Sequence, residues 1–100
     1  MTRNANRVHT DPGAIARLES LIAALPNGAR VELQLDDGPP LRGTVAARPI
    51  LQLFFGPDGN EGSNAVVRLE PIGADPFDLS RPPQDLWLDS IIAVRDLGPP

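Results

Sequence analysis

The chain has 100 residues, no cysteine, one histidine and a formal net charge of −4. That length holds a single domain with a small core, and the absence of thiols excludes a disulfide framework, a cysteine nucleophile and a thiolate metal site. His9 alone cannot build a multi-histidine centre, and no cofactor is implied. The charge is divided unevenly: residues 1–30 carry four arginines against Asp11 and Glu19, whereas residues 31–100 carry five arginines against eleven acids. An acidic, strand-rich body attracts phosphate backbones poorly, because that affinity comes from Lys and Arg displacing counterions. No apolar run is long enough to cross a bilayer and residues 1–13 lack the apolar stretch of a signal peptide, so no membrane partner and a cytoplasmic location are expected.

Residues 1–10 are polar and without periodicity, the pattern of a flexible leader. A helix is predicted over 11–25. Asp11 suits the N-cap, Pro12 suits the first helical position, and Ile15, Leu18, Leu21, Ile22 and Leu25 recur as one apolar stripe. Pro26, Asn27 and Gly28 end it. So short a helix does not stand alone in water, and its stripe must pack on the sheet.

The segment VELQLDDGPPLRGTV, from Val31 to Val45, alternates apolar and polar residues on both sides of an Asp-Gly turn, which is a β-hairpin signature. Val31, Leu33 and Leu35 face one way, and Glu32 and Gln34 the other. Pairing resumes after Pro39 and Pro40 at Leu41. Gly43 lies inside the second strand, where a glycine marks a bend or a close backbone approach. A third strand is predicted over Ile50 to Phe55, a long turn from Gly56 to Ser63, and a fourth strand over Asn64 to Glu70. Residues 71–85 hold four prolines and read as an ordered loop anchored by Phe77 and Leu79. A short turn at Trp87 to Ser90 then leads into the fifth strand. The single domain is placed at 11–97, with 98–100 as a frayed tail.

The chain is therefore mainly β: an N-terminal helix, then five antiparallel strands bent at Gly43. In that order, VELQLDDG, LRGTV, LQLFF, VVRLE and LDSIIAVRDL resemble the Sm-like small barrel of Sm proteins and the bacterial RNA chaperone Hfq. More narrowly, the chain is similar to an uncharacterised bacterial group with an Sm-like or SH3-like barrel. The same devices serve closure of any SH3-like barrel, and both architectures remain open at this point.

The resemblance implies RNA binding by a ring. In Hfq-like proteins a basic-aromatic segment before the last strand lines the RNA pore, and the matching stretch here is Trp87-Leu88-Asp89-Ser90. Leu88 and Asp89 cannot meet phosphate as cations, whereas Trp87 can stack on a base or serve as a core residue. Arg3, Arg7, Arg42 and Arg48 are the remaining candidates for RNA or partner contact. The resemblance also implies self-association through the fourth and fifth strands, with Val66 and Arg68 on one edge and Ile92 and Val94 on the other. The Pro-rich loop stands where it can cover the first of these edges, so a dimer or small oligomer is expected more than a ring.

Other chemistry is poorly supported. Asp58-Gly59-Asn60-Glu61-Gly62 lacks the later ligands of a calcium loop, Asp36 and Asp37 diverge at a strand turn, and His9 has no partner that the sequence identifies. No enzyme is expected. The two readings are a non-enzymatic interaction module binding protein or itself through strand edges, and an Sm-like RNA-binding or RNA-regulatory protein.

Overall fold

The computed structural model describes residues 3–72, 80 and 82–99. Its elements are β1 (Arg3–Asn4), α1 (Pro12–Ala23), β2 (Arg30–Leu35), β3 (Leu41–Val45), β4 (Gln52–Phe55), β5 (Glu61–Asn64), β6 (Val66–Glu70), β7 (Gln84–Trp87), a 3-10 turn (Leu88–Ser90) and β8 (Ile91–Asp96). Most of the Pro-rich loop, with its expected anchors Phe77 and Leu79, lies outside the described residues.

The helix begins as its capping residues dictate: the Asp11 carboxylate accepts a hydrogen bond from the Ala14 N–H at 3.0 Å and Pro12 follows the cap. Leu18, Leu21, Ile22 and Leu25 bury the stripe against Val31 and Leu33 of β2, Val45 of β3, Val67 and Leu69 of β6, and Leu88 and Ile91 at the start of β8. Gly28, at φ 78°, turns the chain into β2 and donates to the Val45 carbonyl at 2.9 Å.

Five strands form one sheet in the order β7-β6-β3-β2-β8, and three form another in the order β1-β4-β5. The hairpin β2–β3 pairs as its alternation requires, Val31 opposite Gly43 and Leu33 opposite Leu41. Gly43 is a close approach. A Cβ there would lie 2.8 Å from the Glu70 carbonyl oxygen and 3.1 Å from Leu69 Cβ, so only glycine lets β6 cross over β3.

Three sequence expectations are corrected. In place of the single five-stranded barrel the strands form two sheets, of five and three strands, and no closed barrel forms among the described residues. The end of the expected long turn is a strand instead: β5 (Glu61–Asn64) pairs with β4, while the expected fourth strand begins as β6 at Val66 and pairs with β3. The switch sits at Asn64, whose side-chain Oδ1 takes the Ala65 N–H at 2.8 Å, withdrawing that amide from a ladder so that the strand can change partners. Lastly, Gln84 to Trp87, read as loop and turn, is a strand antiparallel to β6, with Val67 opposite Leu86 and Arg68 opposite Asp85. Its four residues and proline-rich approach conceal the period-two pattern that longer strands display.

The leader lies on the second sheet. Arg3–Asn4 runs parallel to β4, and His9 pairs with Ser63. At the other end, Arg30 donates to the Pro99 carbonyl at 3.2 Å, which ties the tail to β2.

Charged residues decorate the outer face of the larger sheet as a cross-strand ladder. Glu32 on β2 pairs with Arg42 on β3 at 2.9 Å and with Arg95 on β8 at 2.8 Å, and Arg68 on β6 pairs with Asp85 on β7 at 2.9 Å. The hydrogen bond from Arg42, followed by the Arg95 and Arg42 charges, holds the Glu32 carboxyl below its ordinary range. The Arg68 bond does the same for Asp85. Depressed carboxyls stabilise the fold fully above the unfolded carboxylate range, and that contribution disappears as pH falls through their folded values. Acid unfolding of Glu32→Gln will therefore depend less steeply on pH than that of the parent, as followed by circular dichroism. Gly43→Ala will destabilise the domain by about 1–3 kcal/mol in urea titrations, the usual cost of forcing an atom into a filled space.

Candidate functional site

Two polar or aromatic sites flank the turn that precedes β8. The first gathers around Asp89. Its Oδ2 lies 3.0 Å from His9 Nε2, accepts from Asn64 Nδ2 at 3.1 Å and sits 3.4 Å from Arg7 Nε. Asn64 is 1% exposed, and its Nδ2 also donates to the Arg7 carbonyl at 2.9 Å. Arg7 reaches on to Asp36 at the β2–β3 turn, 3.5 Å away. One buried amide and one carboxylate thus tie the leader, β5, the hairpin turn and the 3-10 turn together. A small cavity of about 110 Å³ adjoins them, walled by α1 through Arg17, Leu18 and Leu21. No hydroxyl bonds to His9 among the described residues: the Ser90 hydroxyl donates instead to the Trp87 carbonyl at 2.6 Å. The cluster therefore joins a carboxylate, an imidazole and a buried amide in one hydrogen-bonded network that ties these segments together.

The second site is an aromatic cleft of about 260 Å³, lined by Arg3, Asn4, Phe54, Val66, Asp85, Leu86 and Trp87. Trp87 meets the buried Phe54 ring edge to face, with centroids 5.1 Å apart, a favoured geometry for the ring quadrupoles. The Arg3 guanidinium lies 5.4 Å from the Phe54 centroid and donates to Gln52 Oε1 at 2.9 Å. Trp87 is half-buried, so one part of the indole packs while another faces the cleft.

The strand edges differ sharply. The Leu88 N–H donates to Ala65 O and the Ala46 N–H to Arg68 O, so alternation turns the backbone of Val67 and Leu69 toward β7 and that of Arg68 and Glu70 toward β3. β6 lies between β7 and β3, and Arg68 therefore sits on no free strand edge, contrary to the resemblance-based expectation; the pairing with β3 runs from Arg68 to Glu70 and stops short of Val66. On β8, the Leu97 N–H donates to Arg30 O, so Arg95 faces β2 and the backbone groups of Val94 and Asp96 face outward. β8 ends the sheet, and Ile92 beside a register shift is 53% exposed. Arg17 closes the start of this edge by donating to the Ile91 carbonyl at 2.7 Å.

The sequence candidates for cation contact are dispersed. Arg3 belongs to the aromatic cleft, Arg7 to the Asp89 cluster and Arg42 to the Glu32 ladder. Arg48 is exposed between β3 and β4, its backbone N–H bonded to the Asn27 side chain. No common positive face unites these four. Sequence reasoning missed the His9–Asp89–Asn64 constellation, whose one legible sign is a polar Asn64 ahead of the apolar VVRL run. It also missed Phe54 as the partner of Trp87.

Replacing Asp89 with alanine leaves three donors without their common acceptor and will destabilise the fold by about 1–3 kcal/mol. Amide hydrogen exchange will show the loss first at the Ala5 and His9 N–H groups, which bond Phe55 O and Ser63 O in the parent protein.

A family described as a domain of unknown function, DUF3247, matches residues 2–97. No curated protein matches the chain. Among solved structures, the chain is similar to XC5848 from Xanthomonas campestris, a crystal structure described as adopting a novel variant of the Sm-like motif. The two are 37% identical over 98% of this chain and 100% of that chain, with a TM-score of 0.84. The shared Sm-like fold and the family match along nearly all of its length make this chain a member of the DUF3247 family.

Proposed function

We propose that the protein is a non-enzymatic interaction module that captures an extended segment of a protein partner along the outer edge of β8. The observation that carries this reading is the position of the strands: β6 lies between β7 and β3, while β8 ends its sheet with Ile92 exposed. An added strand satisfies the outward N–H and C=O groups of β8, and a side chain beside Ile92 gains apolar contact. The acidic body and the scattered arginines support a protein partner over a nucleic acid. Val94 packs inward against the core, so its side chain anchors the edge while its backbone recruits.

One observation favours a second reading, RNA binding: Trp87, Phe54 and Arg3 line a common cleft, and an aromatic with a guanidinium is a sequence-tolerant platform for an unstacked base. Trp87 is the sole tryptophan, which makes its fluorescence a direct reporter of that cleft.

Ile92→Lys places a charge on the exposed edge without touching the core. Light scattering after size exclusion, together with pull-down of partners, will show strand-edge association weakened in this variant at unchanged melting temperature. Association that survives Ile92→Lys removes the β8 reading. Quenching of Trp87 by oligouridine that vanishes steeply as salt rises would put the RNA reading ahead.

A further inference from the structure

The cleft beside Trp87 holds more than a stacking face. Phe54 is 1% exposed, its ring taken up by the Trp87 edge and the Arg3 guanidinium, so the half-buried indole is the aromatic surface left to a ligand. Three polar side chains, Arg3, Asn4 and Asp85, stand around it. Arg3 commits Nη2 to Gln52 Oε1 at 2.9 Å and makes no other hydrogen bond among the described residues, which leaves its Nε and Nη1 hydrogens for a ligand. Asp85 accepts from Arg68 Nε on Oδ1 at 2.9 Å and from Arg68 Nη2 on Oδ2 at 3.2 Å. Each of these oxygens keeps a further lone pair.

The Arg68 bond holds the Asp85 carboxyl below its ordinary range, so at neutral pH both oxygens only accept, and a ligand must bring N–H groups to them. The cleft thus sets a two-oxygen acceptor and a guanidinium donor beside one indole. Among the four RNA bases, guanine alone carries two neighbouring donors, N1–H and the 2-amino group, together with two neighbouring acceptors, O6 and N7, which a guanidinium meets in bidentate fashion. Adenine and cytosine turn a bare ring nitrogen to a carboxylate, and uracil flanks its one ring N–H with two carbonyls. The acidic body, at a net charge of −4, draws phosphate weakly. Recognition therefore falls to the base.

We infer that the Trp87 cleft selects guanine: the base stacks on the indole, Asp85 accepts from N1–H and the 2-amino group, and Arg3 donates to O6 or N7. This rests on the reading of the cleft as a platform for an unstacked base and adds to it a choice among bases. The volume of about 260 Å³ is below that of pockets for drug-sized ligands, so one base fills it. That guanine belongs either to a free nucleotide or to a nucleotide splayed from a strand. The site is independent of the β8 edge and stands or falls separately.

The test is titration of Trp87 fluorescence in the full chain with the monophosphates of guanosine, adenosine, cytidine and uridine. Guanosine monophosphate will bind at least about tenfold more tightly than the other three, and inosine monophosphate, which lacks the 2-amino group, will fall between. Asp85→Asn will erase the preference, because an amide offers one acceptor and one donor in place of two acceptors. Arg68→Gln breaks the same ion pair but keeps the carboxylate, and will retain the preference, which separates base reading from a merely structural role. Oligouridine with one central guanine binding more tightly than guanosine monophosphate assigns the base to a strand, and equal binding assigns it to a free nucleotide; both uphold the inference. Equal quenching by all four monophosphates overturns the choice of guanine and leaves the base platform standing. Quenching by none of them, with oligouridine equally inert, overturns both.

Discussion

The pairing of β7 with β6 is the constraint on which the remaining architecture depends. β6 takes up the larger sheet where the chain leaves the smaller one at Asn64, and its backbone polar groups need partners where it is buried. On one side they meet β3, made possible by the missing side chain at Gly43. On the other they meet Gln84–Trp87, clamped across the ladder by the two-point Arg68–Asp85 pair. Flanked by β7 and, from Arg68 to Glu70, by β3, much of the edge that the Sm resemblance assigns to ring formation is occupied from within the chain. The outermost strands of this sheet are β7 and β8.

A second consequence concerns the turn before β8. Because β7 must end at Trp87 and β8 must begin at Ile91 beside β2, the intervening 3-10 turn is held between two sheets and the helix. Leu88 fills the core from that turn while Asp89 points the other way, toward the leader. The Trp87-Leu88-Asp89 stretch matches in position a basic-aromatic segment of Hfq-like proteins, yet here its residues secure the chain to itself. Trp87 packs on Phe54, Leu88 is fully buried, and Asp89 gathers His9, Asn64 and Arg7. The geometry is that of an Sm-like scaffold whose turn has become a clasp.

Electrostatics reinforces this. Arg7, Arg42, Arg68 and Arg95 all lie within 4 Å of carboxylates, so much of the positive charge is neutralised locally and projects little field. Exposed pairs of this kind add little stability singly. Their arrangement across strands opposes like-charge contacts, and so helps to select one register over its neighbours. The interaction chemistry left over is apolar and backbone-directed: Ile92 on β8, and Leu53 and Phe55 on β4.

The helix with its Asp11-Pro12 start, the β2–β3 hairpin and the close approach at Gly43 were all legible from residue order, because caps, alternation and glycine placement are local signals. So was the suspicion that the segment after Glu70 covers an edge. The strand β5 was not legible, since EGSN carries no apolar alternation and reads as a continuation of the turn from Gly56. Nor was β7, whose four residues acquire a strand conformation only from the partner they meet. His9 gained a carboxylate eighty positions away, and Trp87 a ring more than thirty positions away; such pairings are properties of the folded chain. Residue order settled where helix and hairpin begin and end, by short-range sterics and hydrogen bonding. Which edges stay open, and which polar groups converge, was decided by the long-range need to satisfy every buried backbone donor and acceptor at once.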